Sequence, residues 1–370
     1  MSVYKIFPIQ DTTLYSRAQT TNTGLDEILE VGAYNKSNQA QSSTIVLADL
    51  GLDDIRRSLI LFDTKDIKAA VANMTGSVTS SLRMFLATAE NLAQQYTVQA
   101  LPLDQAWQNG LGKYSDAPTN TGGASWKYRS AQAYGLEWTG TTSSLYTKGG
   151  GSWETTRTGS QLFTFTSNKD LNVDVSDMVN SWTGSFGTQP NNGILIKLED
   201  SIELNSDSYT GLKFYSSDTH TIYPPHLELK WDDSTFNTGS TIYVTASKDT
   251  FILTATNNLG TFKEDAVHTF NFKTREQYPT RVFQTSSVYL DWQYLPTSSY
   301  WAIQDYKTKE MVIDFDTKAT KLSTNTNGNS FTLYMNGLQP ERSYKILIKA
   351  TLSTGETVVK DHDTIFKVVR

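Results

Sequence analysis

Apolar, aromatic and β-branched residues recur in this chain as short alternating runs, cut every few residues by Gly, Asn, Asp, Ser and Thr. In "HLELKW", Leu227, Leu229 and Trp231 fall on one side and Glu228 and Lys230 on the other, which is the period of a strand with one face buried. About eight runs of this kind crowd into the residues after 240, with turn residues between them, the spacing of a β-sandwich. With 19 Tyr, 16 Phe and only 19% charged residues, the composition favours sheet over helix or disorder. The chain therefore reads as all-β, and 370 residues predict two domains.

The first block opens with "VYKIFPIQDTTLYS" and "EILEVGAY" and reaches "RRSLILFD", where Leu59 to Phe62 are apolar on both faces, as in a buried strand. "DTKDIKAAVANM" then places Ile67, Val71 and Met74 at helical spacing behind Asp63 as a cap. "SSLRMFLATAE" reads as one strand with Leu82, Met84 and Leu86 on a common face. From about 101 to 160 the periodicity fades into Gly, Ser, Thr, Trp and Tyr, a long irregular insert of the kind that is either functional or mobile. "DDSTFNTGS" at 232–240 is a run of turn formers and sets the expected boundary, giving domains 1–233 and 234–370. In the second, Asn327-Gly328 predicts the central pair of a type I′ hairpin turn.

Charge narrows the partners. Lys and Arg total 32 against 38 Asp and Glu, and no basic run suggests a phosphate clamp, so nucleic acid is not expected. The chain has no cysteine, which removes disulfides and thiolate metal sites. Its start, "MSVYKIFPIQD", lacks the features of a secretory signal, and no run of about 18 apolar residues predicts a membrane span. The expectation is a soluble product made in a cytoplasm.

Candidate chemistry is sparse. His220 and His226 flank a Tyr-Pro-Pro bend, with His268 and His362 alone, and no third ligand stands at a metal-site spacing. The carboxylate pairs Asp53-Asp54, Asp104 with Asp116, Asp174 with Asp177 and Asp232-Asp233 occupy turns and caps, where Asp serves local hydrogen bonding. Nucleophile elbows and phosphate loops are missing, and "KGGGSW" at 148–153 reads as a flexible loop. Neither catalytic residues nor a cofactor or metal is therefore assigned. The aromatics of the insert, Trp107, Trp126, Tyr128, Tyr134, Trp138, Tyr146 and Trp153, lie outside any alternating strand. They either plug a core beneath the loops or form contacts; Trp107, Trp126, Trp138, Tyr146 and Trp153 are the candidates for contact with a protein partner or a glycan.

In "DVSDMVNSWTGSFGTQPNNGILIKLED", Asp174 and Ser176 cap a short helix that turns Val175, Val179 and Trp182 towards a sheet. The chain then returns as a strand with Ile194, Ile196 and Leu198 on one face and Lys197 on the other.

The order "DTTLYSRAQTTNTGLDEILEVG", "RSLILFD", "SLRMFLA", "DVSDMVNSWTGS", "NNGILIKLED", "LKFYSSD" and "PHLELKWDD" over residues 5–233 resembles the DNRLRE domain. That family is a jelly-roll-like β-sandwich of secreted and virion proteins, related to some carbohydrate-binding modules. "WKYRS", "SSDTHTIYPPHLELKWDDSTF" and "MNGLQPERSYKILIKA" are similar to structural virion proteins of large marine and gut tailed bacteriophages, which add an immunoglobulin-like domain. "NGLQPERSYKILIKATLSTGE" is itself similar to the fibronectin type III pattern, with Tyr344, Ile346, Ile348 and Ala350 facing inward. The resemblance implies an N-terminal jelly-roll-like β-sandwich with a long insert and a C-terminal immunoglobulin-like β-sandwich. It also implies a non-enzymatic neck, collar, tail or fibre component of a virion, bound to other virion proteins and to copies of itself, with host surface glycan as the alternative ligand.

Overall fold

The computed structural model describes residues 2–34, 54–90, 95–131, 135–140, 142, 149–164, 170–183, 189–203, 210–236, 251–278, 293–352, 354–361 and 364–370. Strand dominates throughout, as the alternating runs require, and the architecture is all-β and sandwich-like. The chain divides into two compact units, Ile6–Asn73 with Thr79–Glu228, and Leu229–Arg370 with Met1–Lys5 and Met74–Val78. The division thus falls at 228/229 rather than 233/234, and the first five residues group with the C-terminal unit. Val3 belongs to that unit's apolar core, and Asn336 Nδ2 donates to the Lys5 carbonyl at 2.8 Å.

In the larger unit an eight-stranded sheet runs in the order Gly159–Phe163, Tyr96–Pro102, Ile194–Leu198, Asp54–Leu61, Ile28–Tyr34, Thr210–Tyr215, Leu86–Glu90, with Gln10–Tyr15 also pairing Asp54–Leu61. Another four-stranded sheet, not assigned to that unit alone, has the order Ser2–Ile6, His226–Trp231, Val78–Met84, Leu171–Asp174. The run read as one strand through Leu82, Met84 and Leu86 is two strands in different sheets, broken at Phe85. Leu82 and Met84 are fully buried. Past the bend, the Leu86 amide donates to Asp170 Oδ1 at 2.9 Å. Alternation continues across the break, so the sequence carries no mark of it.

The helix behind Asp63 spans Thr64–Ala72, with Asp63 accepting from the Lys65 amide and Ile67 buried. The helix over the sheet spans Ser176–Thr183 and buries Met178, Val179 and Trp182. Asp174 accepts from both the amide and the hydroxyl of Ser176, which fixes the helix entry.

The C-terminal unit has a four-stranded sheet, Phe251–Ala255, Val267–Glu276, Gly328–Tyr334, Ser323–Asn325. Its second sheet runs Thr261–Lys263, Ile365–Val369, Arg342–Thr351, Ser299–Asp305, Met311–Ile313, with Thr357–Lys360 also pairing Arg342–Thr351. One apolar core joins residues of both sheets, and Trp301 stacks on Phe331 at 4.4 Å within it. Tyr344, Ile346, Ile348 and Ala350 all face that core, and Tyr344 Oη donates to the Gln339 carbonyl at 3.0 Å, closing the Leu-x-Pro corner. The expected hairpin forms one residue early. Asn325 pairs Gly328, so Thr326 and Asn327 make the turn. The side chain of Asn325 accepts from the Asn327 amide at 2.7 Å, and Gly328 opens the next strand at φ 122°. The expected strand "TIYVTAS" at 241–247 lies outside the described residues, as do residues 286–292 of the expected strand "SSVYLDWQYL" at 286–295.

Candidate functional site

The insert is a lid built onto one face of the eight-stranded sheet. Strand Asp54–Leu61 turns Ile55, Arg57 and Leu59 to that face, and Ile194–Leu198 adds Leu195 and Lys197. Leu14, Ile55, Leu59, Leu101, Leu103 and Leu195 pack with Trp107, Trp126, Trp138 and Trp153 in one cluster. Those four tryptophans are only 6%, 1%, 0% and 9% exposed. As contact residues they are therefore corrected to core residues, because a sheet face this apolar has to be covered. Their ring N–H groups are drawn inward as well: Trp107 Nε1 donates to the Asn192 carbonyl at 2.9 Å and Trp138 Nε1 to the Ser125 carbonyl at 3.0 Å. Tyr134 and Tyr146 lie outside the described residues, and Tyr128 is half-buried.

Two polar anchors hold the lid. Asn22, fully buried, donates to the carbonyls of Asn109 at 2.6 Å and Ala124 at 2.8 Å, and its Oδ1 accepts from the Gly112 amide at 2.8 Å. The second anchor is ionic. Arg57 Nε and Nη2 donate to both oxygens of Glu203 at 2.9 and 2.8 Å, and Lys197 Nζ reaches Glu203 Oε2 at 3.1 Å and Asp200 Oδ1 at 2.6 Å. The side chains of Arg57, Lys197 and Glu203 are 4%, 1% and 0% exposed. Lys197 does take the face opposite Ile194 and Ile196, but the lid buries that face too.

Arg57 is covered by aromatic and backbone groups. Its guanidinium lies 4.9 Å from the Trp126 ring centre and 5.0 Å from that of Trp153, while Nη1 donates to the Gly150 carbonyl at 2.7 Å. A Cβ on Gly150 would stand 2.6 Å from Arg57 Nη1 and 2.8 Å from Trp126. Gly149 to Trp153, read as a flexible loop, are all buried, so the glycines there permit close approach rather than motion. One signal for this anchor was present in the sequence: a lysine in the apolar run "ILIKL".

Among the described residues, two clefts open on the larger unit. One, of about 330 Å³, is lined by the edges of Trp153 and Trp182 with Asp104, Thr142, Glu154 and Gln189. Glu154 there is held by Arg157 Nη1 at 2.5 Å and Thr156 Oγ1 at 2.7 Å. The other, of about 290 Å³, lies among Tyr15, Asp26, Glu27, Ile28, Glu30, Arg56, Tyr114 and Ser115. In it Arg56 pairs with Glu30 and with Asp54, and Tyr114 packs on Tyr15 at 4.5 Å. Burial pushes the Asp26 carboxyl above its ordinary value, against the Tyr114 amide and Lys113, which pull it down.

The remaining carboxylates and histidines stay apart. Burial pushes the Asp11 carboxyl up to about 6 although Oδ2 accepts from the Ser217 amide at 2.6 Å. Asp104 is exposed in a bend and Asp174 at the end of its strand, and Asp53 lies outside the described residues. His226 is buried 4.0 Å from Glu228, His220 is exposed, and His362 lies outside the described residues. Among the described residues no three His, Cys, Asp or Glu side chains group as metal ligands, and no helix is long and apolar enough to cross a membrane. No family model matches the chain, and no curated protein matches it either.

Proposed function

We propose that this protein is a non-enzymatic structural component of a bacteriophage virion, at the neck, collar, tail or fibre attachment, acting through contacts with other virion proteins and with its own copies. The observation that carries this reading is the lid. Its tryptophans and glycines lie inside, locked by Asn22 and by the Arg57–Glu203–Lys197 cluster, which makes a stiff body without disulfides. A brick in a repeated assembly needs that stiffness, since each contact is made with little ordering cost. The resemblance of residues 5–233 to DNRLRE domains and of the C-terminal motifs to phage structural proteins supports the same reading. Quantitative mass spectrometry of purified particles tests it: the protein is expected at a fixed copy number per virion, and its absence from particles ends the idea.

A second reading, a glycan-binding module, is favoured by the cleft over the buried Trp153 and Trp182, where the carboxylates of Asp104 and Glu154, hydroxyls and an amide converge. Titration with host surface polysaccharide tests it, with Asp104→Asn expected to weaken binding while leaving the fold intact. No binding at millimolar sugar removes the reading.

A further inference from the structure

We propose that copies of this chain bind head to tail, with the hairpin tip Tyr306–Met311 of one copy seated in the Tyr15–Tyr114 cleft of the next. This rests on the reading of the protein as a subunit in a repeated assembly and names the contact.

The receiving surface is acidic and apolar together. Around the cleft, Asp26, Glu27, Glu30 and Asp54 outnumber Arg56 and Lys113. Tyr114, which lines it, is 54% exposed, and Leu111, three residues earlier in the chain, is 74% exposed. Leu111 is not on a loose loop. The Asn109 carbonyl and the Gly112 amide on either side of it are both bonded to Asn22, and the Gly112 carbonyl accepts from the Leu25 amide at 2.9 Å. A leucine held out to solvent on a fixed backbone has only its side chain left to order on binding. Buried in a partner, it gains the full apolar transfer.

The complementary surface is on the C-terminal unit. Strands Ser299–Asp305 and Met311–Ile313 are joined by a tip in which Tyr306 and Met311 are 41% and 38% exposed and Lys307, Thr308, Lys309 and Glu310 are exposed. The tip is as firmly built as the knob. Asp305 Oδ1 accepts from the Lys307 and Thr308 amides at 2.9 and 2.8 Å. Its backbone carbonyl accepts from the Lys309 amide at 3.1 Å. Lys309 lies over the Tyr306 ring at 4.6 Å, so ammonium and ring project together. Two lysines against the single Glu310, with the Tyr306 ring, leave the tip net positive and match a cleft with excess carboxylate and the exposed Tyr114 ring. Charge complementarity of this kind sets register and partner choice.

The contact is heterologous, so its repetition closes a ring or extends a filament. It covers only a few side chains on each side, well under the roughly 800 Å² per partner of a stable dimer. Association is therefore weak in a pair and strengthened by ring closure.

Sedimentation equilibrium of the purified full chain over a concentration series, at low and high salt, tests the proposal. Self-association is expected at low salt and is expected to weaken as salt rises. Glu27→Lys alone, or Lys307→Glu with Lys309→Glu, is expected to weaken association by about five- to tenfold. Combining the reversals is expected to restore part of the association lost by the tip variant alone, which an indirect effect on folding would not do. Leu111→Ser is expected to weaken it at both salt concentrations. A monomer at every concentration overturns the proposal, and so does association that ignores all of these variants or is in no part restored by the swap. The virion reading stands or falls separately, on whether the protein is present in particles.

Discussion

Replacing Glu203 with Gln is the sharpest perturbation of this fold. The carboxylate accepts two hydrogen bonds from Arg57, at 2.9 and 2.8 Å, and forms an ion pair with Lys197 at 3.1 Å, with all three side chains almost wholly out of water. Glutamine keeps the shape but removes the charge and one acceptor, leaving two buried cations facing each other with the exposed Asp200 and the neutral Gly150 and Leu198 carbonyls as partners. Removing one member of a buried ionic group costs about 3–5 kcal/mol, because the remaining charges stay desolvated without compensation. Urea unfolding followed by tryptophan fluorescence measures this directly, since Trp126 and Trp153 cover Arg57. Replacing Arg57, Lys197 and Glu203 together by Met, Met and Leu is expected to recover most of the loss, as no unpaired charge then remains. A Glu203→Gln protein within about 1 kcal/mol of the parent would show that water or another group reaches the cluster, and the reasoning would fail.

Trp182→Ala is expected to cost about 3–5 kcal/mol in chemical denaturation, since the ring is 3% exposed between helix and sheet. Gly150→Ala is expected to lower the thermal midpoint, because the added Cβ meets Arg57 and Trp126 and the residue holds φ 77°. Stability should also depend on pH through Asp11. Its folded carboxyl titrates at about 6 against 3.8 for the free group, so the stabilisation is fully present below about 3.8 and is lost as pH rises through 6. Denaturation at pH 5 and pH 7.5 should show this as a gain of about 1.4 kcal/mol at the lower pH, with Asp11→Asn abolishing the difference.

The sandwich strands were legible because their side chains report a two-sided environment. Leu227, Leu229 and Trp231, or Tyr344 through Ala350, alternate because one face meets a core. The corner at Asp174 was legible for a related reason: its cap, helix face and returning strand all lie within a short stretch of sequence. The lid was not legible. Its order comes from Asn22 bonding to backbone about a hundred residues away and from Arg57 meeting Glu203, contacts that impose no local period. Glycine adds to the difficulty, since the residue that marks flexibility by composition is here the one that fits beneath Trp126. The turn at Thr326-Asn327 was displaced because the side chain of Asn325 supplied a hydrogen bond that the dipeptide pattern does not include.

The separation between Arg57 and Glu203 bears on how the chain is made. During synthesis Arg57 leaves the ribosome long before its carboxylate partner, 146 residues later, and the lid is translated in between. Until Glu203 arrives, closing the lid would trap an uncompensated guanidinium, so the lid should stay open on the nascent chain. A fragment that stops short of Glu203 should accordingly hold a loose, protease-sensitive lid over a partly paired sheet. Closure is then one of the last steps in assembling the larger unit, timed by the order of residues along the chain.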